Sequence, residues 1–286
     1  MSVHTVRSPV RRIAAEHPGL VRFGRAGWFA KGVVYVVAGV LALLIVAKSS
    51  GFSTAATTGT GEASPTGALK TIAETSSGPI LLALLVVGLL LYAAWRVVSA
   101  LLPGRLDAKS TAKRIGFAVS AVMYVTFAVT AFSLARGGST SSANGNSTVS
   151  KTSGGVMQHT GGRVLIGAVG VIVIAVGLYR VVKGLRRDVD DELDLSAMPA
   201  ARRRRIERLG GVGEVGRGVG IGLIGYFLLD SALTYDPQEA TGLDGALRTL
   251  VTKTGGQFVV LVVAVGFISY GLFCVATFTH RRLETP

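Results

Sequence analysis

Two cations set into otherwise apolar segments, Lys31 and Arg217, are where this chain has most chemistry to offer. A cation inside a helix that crosses hydrocarbon costs about 2.5–3.5 kcal/mol on insertion-derived scales, so it must find a partner, water or an interface. Both residues stand only a few positions inside the basic ends of their segments. Snorkelling is therefore open to them, with the aliphatic stem along the helix and the charge among lipid phosphates. A second reading uses an internal repeat: Lys31, Ser120 and Arg217 hold equivalent positions and would face a shared centre, forming a lopsided basic site for an anion or a lipid phosphate. Glu214, three residues before Arg217 on the same helical face, would pair with it and weaken that site. Arg96 and Arg180 follow aromatic residues at segment ends and are expected to hold anionic headgroups. Trp28, Trp95, Tyr179 and Phe273 are expected to anchor those same ends as an aromatic belt.

Catalytic constellations are scarce. His4, His17, His159 and His280 lie in tails or loops, and none has a partner at metal-ligand spacing. The single cysteine, Cys274, lies inside the last apolar run and has no intramolecular disulfide partner. Asp230 is the only carboxylate well inside an apolar run. We therefore expect no catalytic residue, no cofactor, no metal and no enzymatic activity.

The elements that carry these residues are apolar runs at 33–47, 80–95, 115–135, 164–179, 219–229 and 258–278. Hydrophobic residues make up 49% of the 286 and charged residues only 16%, against about 25% in soluble domains. Spanning a hydrocarbon core takes roughly 20 helical residues. The third and sixth runs reach that outright, and the others reach it by extending into Gly, Ser or one terminal cation. None alternates apolar and polar residues as a membrane barrel strand would, and hydrocarbon obliges a spanning segment to satisfy its own backbone. The sequence thus predicts an all-α membrane protein with six transmembrane helices, the first of them retained rather than cleaved as a signal.

The net charge of +14 reflects topology rather than nucleic-acid binding. With the N-terminus inside, Lys48, Lys70, Arg136, Lys151, Arg163, Arg248 and Lys253 fall on the outer side and all other Lys and Arg on the cytosolic side. Short loops rich in Lys and Arg resist translocation, so both termini are expected in the cytoplasm of a plasma-membrane protein.

The runs pair into repeats. Thr66-Gly67-Ala68-Leu69-Lys70-Thr71, Gly78, then Gly88-x3-Tyr92-x2-Trp95 matches Asp244-Gly245-Ala246-Leu247-Arg248-Thr249, Gly256, then Gly266-x3-Tyr270-x2-Phe273 at a constant offset. The opening helices align Gly27, Lys31-Gly32 and Gly39 with Gly213, Arg217-Gly218 and Gly225. The middle copy keeps Gly116 and Tyr124 (matching Gly27 and Tyr35), has Ser120 in place of the cation, and ends Gly177-Leu178-Tyr179-Arg180 where the first ends Ala93-Ala94-Trp95-Arg96. A two-helix repeat returns the chain to its starting side, so the hairpins share one orientation. The organisation read is a basic tail (1–20), repeat one (21–102), a linker (103–109), repeat two (110–185), a charged linker (186–205), repeat three (206–280) and a short tail (281–286). Residues 67–73 and 245–251 read as short amphipathic helices before the second span. In the middle copy that element is lost or diverged, and 137–155 reads as a flexible polar loop. Gly32, Gly39, Gly216, Gly218, Gly220, Gly222 and Gly225 read as helix-packing positions, since small residues let membrane helices approach.

This threefold pattern resembles a bacterial membrane family catalogued as domain of unknown function 1206. The resemblance covers nearly all of residues 20–280 and implies three tandem two-helix units. It implies no activity. From the residues we expect three like-oriented hairpins with pseudo-threefold symmetry, serving as a structural, assembly or envelope-associated module. A channel or transporter for a small solute or anion, and an anionic-lipid-binding protein, are the other readings. The partners expected are the bilayer, anionic headgroups and an unidentified protein that the charged linker would meet.

Overall fold

The computed structural model describes residues 18–50, 65–74, 78–101, 108–137, 145–159, 161–188, 198–236 and 239–278, and among them it is helical with no strand. The long helices are α1 (Pro18–Ser49), α3 (Gly78–Leu101), α4 (Ala108–Ala135), α6 (Gly162–Leu185), α7 (Ala200–Thr234) and α9 (Gly256–Thr277). Three short helices, α2 (Pro65–Ala73), α5 (Gly145–Met157) and α8 (Leu243–Val251), precede the second long helix of each pair. Five long helices are apolar enough over sufficient length to cross a membrane, while the apolar stretch of α3, Gly78–Ala94, is shorter. The acidic residues 190–194 and the side chain of Trp95 lie outside the described residues.

The long helices form an arc in the order α4, α3, α1, α9, α7, α6, each packed on the next. Most Val and Leu on the outside of this arc are exposed, as befits helices solvated by lipid tails. Hydrocarbon gives such helices no hydrophobic reason to associate, so contact must come from dispersion at close approach. Glycine provides that approach. Gly216 of α7 and Gly266 of α9 lie backbone to backbone, and a Cβ on either would strike the other's Cα.

Two further crossings are built alike. In α1 against α9, a Cβ on Gly32 would sit 2.8 Å from the Gly271 carbonyl oxygen, and one on Gly39 2.9 Å from that of Ala264. In α7 against α6, Gly218 stands in the same relation to Gly177 at 2.7 Å and Gly225 to Gly170 at 2.8 Å. Gly220 faces Leu243 and Phe267. Gly222 has open space beside its own Cα hydrogens, yet a Cβ on Gly177 would come within 2.7 Å of its nitrogen. It too is part of the approach surface.

The middle copy retains its short helix, which overturns its reading as a lost or flexible element. α5 packs on α6 and α8, with Val149, Val156 and Met157 set against Ile166, Leu228, Ala232 and Ala240. The join into the next helix is the same in all three copies. A Cβ on Gly78, Gly162 or Gly256 would collide with the carbonyl oxygen of Ile72, Val156 or Leu250 at the end of the preceding short helix. At two of these joins the residue before is a left-handed glycine, Gly161 (φ 82°) and Gly255 (φ 77°), which a side chain would strain.

Because Gly216 meets Gly266 at backbone contact, Gly216→Val must force α7 and α9 apart and should cost about 3 kcal/mol or more. Gly116 has nothing near its missing side chain, so Gly116→Ala should be neutral or slightly stabilising through helix propensity. Thermal unfolding of the two variants in detergent, followed by size-exclusion homogeneity, checks the contrast. Equal tolerance of both would refute the close crossing.

Candidate binding site: a buried cation–aromatic cluster

At one end of the arc the six long helices bring polar residues together. α1 gives Trp28, Lys31 and Tyr35, α3 gives Tyr92 and Arg96, and α4 gives Tyr124. α6 gives Arg180, α7 gives Glu214 and Arg217, and α9 gives Tyr270 and Phe273. Lys31 does not snorkel. It is buried, with Nζ 4.6 Å from the centroid of Trp28, 5.1 Å from Tyr270, 5.7 Å from Tyr92 and 5.8 Å from Tyr124. The rings brace one another at angles near edge-to-face: Tyr92 on Tyr124 at 4.6 Å, Tyr35 on Tyr270 at 4.9 Å, and Trp28 on Tyr270 at 6.3 Å. Trp28 Nε1 donates to Thr277 Oγ1 at 3.1 Å, which pins the indole that carries the ammonium.

Arg217 lies beside this cage and close enough to Lys31 to interact with it electrostatically. Its guanidinium sits 4.0 Å over Tyr270 and 5.2 Å from Tyr35, and its Nη1 donates to Glu214 Oε1 at 2.7 Å. The pair expected from the three-residue spacing is thus formed. Arg180 then takes the second carboxylate oxygen, Nη1 to Oε2 at 2.8 Å. Arg96 also turns to protein: Nη2 and Nε donate to Tyr92 Oη at 2.6 and 3.0 Å, and the guanidinium stacks on Phe117. Arg96 and Arg180, the residues expected at anionic headgroups, thus each also bond to protein side chains, and Arg180 keeps its side chain 33% exposed.

Ser120 behaves differently. It is half-buried one turn before Tyr124, and its Oγ donates to the Gly116 carbonyl oxygen at 2.8 Å, within its own helix. The structure therefore brings Lys31 and Arg217 into one cluster and leaves Ser120 at its rim. The tyrosine cage was not anticipated from sequence. Its signal was present in the repeat: Tyr35 and Tyr124 stand one turn after Lys31 and Ser120, and Tyr92 and Tyr270 share one position in the closing helices.

A cation over a desolvated ring gains about 2 kcal/mol or more, whereas desolvating an ion costs several. Four rings offset much of that cost for Lys31, and Glu214 offsets it for Arg217. The cluster still holds Lys31, Arg180 and Arg217 against a single carboxylate, and no group of His, Cys, Asp or Glu suited to a metal occurs among the described residues. The cluster therefore carries an excess of positive charge.

Removing one member of a buried pair strands the other, at about 3–5 kcal/mol. Glu214→Gln should therefore lower the unfolding midpoint markedly, since two guanidinium groups lose their acceptor. Lys31→Met keeps the stem against the rings, removes an ion with no paired carboxylate, and should leave that midpoint unchanged or raised. Differential scanning of both variants in one detergent checks this, and a reversed order would show the assignment of charges to be mistaken.

A family profile described as a domain of unknown function, DUF1206, matches three segments of the chain, residues 26–102, 115–187 and 212–277. The chain is also similar to an uncharacterised protein of Bacillus subtilis (strain 168), YxxB. The two are 32% identical over 269 residues, which covers 93% of each. No solved structure matches it. Three profile matches, each holding one pair of long helices, together with this relative along nearly the whole length, place the chain in the DUF1206 family.

Proposed function

We propose that this chain is a six-span plasma-membrane module of three like-oriented hairpins about a pseudo-threefold axis, with both termini in the cytoplasm. Its role on this reading is structural: it holds or assembles a partner in the envelope and catalyses nothing. α3 continues as helix beyond its apolar stretch to Leu101, which is length enough for a sixth crossing. The positive-inside asymmetry supports the orientation, and the repeated short helix–glycine–long helix join supports three equivalent hairpins.

The observation that carries the structural role is the glycine crossings. At Gly216–Gly266 and Gly32–Gly271 neighbouring backbones touch directly, so no layer of side chains exists for one helix to slide over another. Alternating-access carriers rely on one repeat rocking against another, built from inverted repeats with broken helices near the midplane. Like-oriented repeats, continuous helices and locked crossings favour a scaffold over a carrier. The rings packed around Lys31 likewise speak against an open channel at that end.

Two measurements test this reading. Single cysteines in a Cys274→Ser background should react with an impermeant thiol reagent from outside when placed at Ser50, His159 or Lys253, and stay protected at Arg187 or Arg205. Equal labelling at Ser50 and Arg205 would overturn the topology. A membrane partner should co-purify with the full chain and be lost when residues 188–205 are deleted. Solute flux in proteoliposomes, with no partner recovered, would replace the scaffold by a transporter.

A further inference from the structure

The middle hairpin never closes. In the first and third copies the two long helices pack face to face: Gly27 of α1 on Gly88 and Tyr92 of α3, and Gly213 and Gly216 of α7 on Tyr270 and Gly266 of α9. Among the described residues, α4 and α6 are not packed together along their length, and Gly116, which matches Gly27 and Gly213, faces open space. The positions that follow it confirm the opening. Aligning Ser120 with Lys31 places Val119 and Met123 at the positions of Ala30 and Val34. Ala30 and Val34 are 7% and 6% exposed, Val119 and Met123 55% and 53%. On the facing helix, Ile172 and Val176 stand where the other copies have Gly88-x3-Tyr92 and Gly266-x3-Tyr270. They are 62% and 44% exposed, whereas Tyr92 and Tyr270 are buried.

The sequence explains the opening. Where the other closing helices present Gly88 or Gly266 to the crossing, α6 carries Ile172, so it lacks the glycine surface on which those hairpins close. The unpacked faces so left carry Val119 and Met123 on α4 and Ile172 and Val176 on α6, all exposed. One turn beyond Val176, on the same face of α6, stands Arg180. Its side chain is 33% exposed and bound to Glu214. Behind it lie Arg217 and the buried Lys31, and the Nε atoms of Arg180 and Arg217 are buried without a hydrogen-bond partner among the described residues. An exposed apolar face of α6 thus ends at a cluster with more cations than carboxylates.

We infer that the cleft between α4 and α6 is a binding site for one anionic phospholipid. Its acyl chains lie along Val119, Met123, Ile172 and Val176, and its phosphate sits at Arg180 with Lys31 and Arg217 behind. A helix from a second copy or another protein is the weaker occupant. Helices join in membranes over small residues, and these walls are branched or long and end at buried charge that a lipid phosphate complements. The inference needs membrane insertion but not the scaffold role.

The test uses the full chain reconstituted into vesicles of equimolar phosphatidylglycerol and phosphatidylcholine, extracted gently and weighed by native mass spectrometry. The expected result is a monomer retaining phosphatidylglycerol over phosphatidylcholine by about tenfold or more, as expected where two or more cations meet one headgroup. Lys31→Met with Arg180→Gln should abolish the preference. Met123→Trp should fill the cleft and displace the lipid with all cations intact, whereas Leu84→Trp on the outer face of α3 should retain it. Unchanged unfolding midpoints for the two Trp variants guard against misfolding as the cause. Equal retention of both lipids, retention unaffected by Met123→Trp, or a dimer cross-linked through cysteines at 123 and 172 would each overturn the proposal. So would protection by inorganic phosphate alone with no lipid retained.

Discussion

Backbone contact through glycine is the constraint on which the rest of this architecture depends. In lipid, a leucine gains nothing by leaving the hydrocarbon for a protein neighbour, so shape must supply the adhesion that water supplies elsewhere. Gly32, Gly39, Gly216, Gly218 and Gly225 remove every atom that would hold neighbours apart. The helices then close to a distance at which carbonyl oxygens and Cα atoms touch. Once α1, α9 and α7 are drawn together, the side chains at their common end have little freedom. Lys31 has nowhere to go but among rings.

That confinement explains how polar groups persist in such a chain. An ammonium with no carboxylate partner is tolerated because Trp28, Tyr92, Tyr124 and Tyr270 turn π faces toward it. A guanidinium is tolerated because Glu214 lies within the same helix and Tyr270 lies beneath it. Each solution belongs to the residue. Arg is planar and suits bidentate pairing and stacking, whereas Lys is a compact point charge, so equivalent positions in two copies are stabilised by different means.

Much of this was legible in the sequence, and the remainder was hidden for definite reasons. The long helices, the α2 and α8 segments and the Glu214–Arg217 pair follow from run length, amphipathic spacing and helical phase. α5 could not be read, because Gly145 to Met157 is built of Gly, Ser and Thr, whose intrinsic preferences point away from helix. Its helicity comes from packing on α6 and from the glycine join at Gly162. The burial of Lys31 was hidden as well, since position along a helix permits either snorkelling or an inward turn. Only the rings arriving from α3, α4 and α9 decide between them. The open middle hairpin was foreshadowed by a single substitution of type, Ile172 where glycine stands in the other copies.

The contact between α1 and α9 joins the opening helix to the closing one. During synthesis α1 leaves the ribosome long before α9 exists, so Gly32 and Gly39 wait with their surfaces uncovered. Lys31 meanwhile has Trp28 from its own helix and Tyr92 and Tyr124 once α3 and α4 emerge, but not Tyr270. The arc therefore locks only at the final insertion event, when α9 seats between α1 and α7 and brings Gly266 and Gly271 together with the last ring. A nascent polypeptide arrested before that event holds an incompletely shielded charge and two unmatched glycine faces. These are features that quality control in a membrane can recognise.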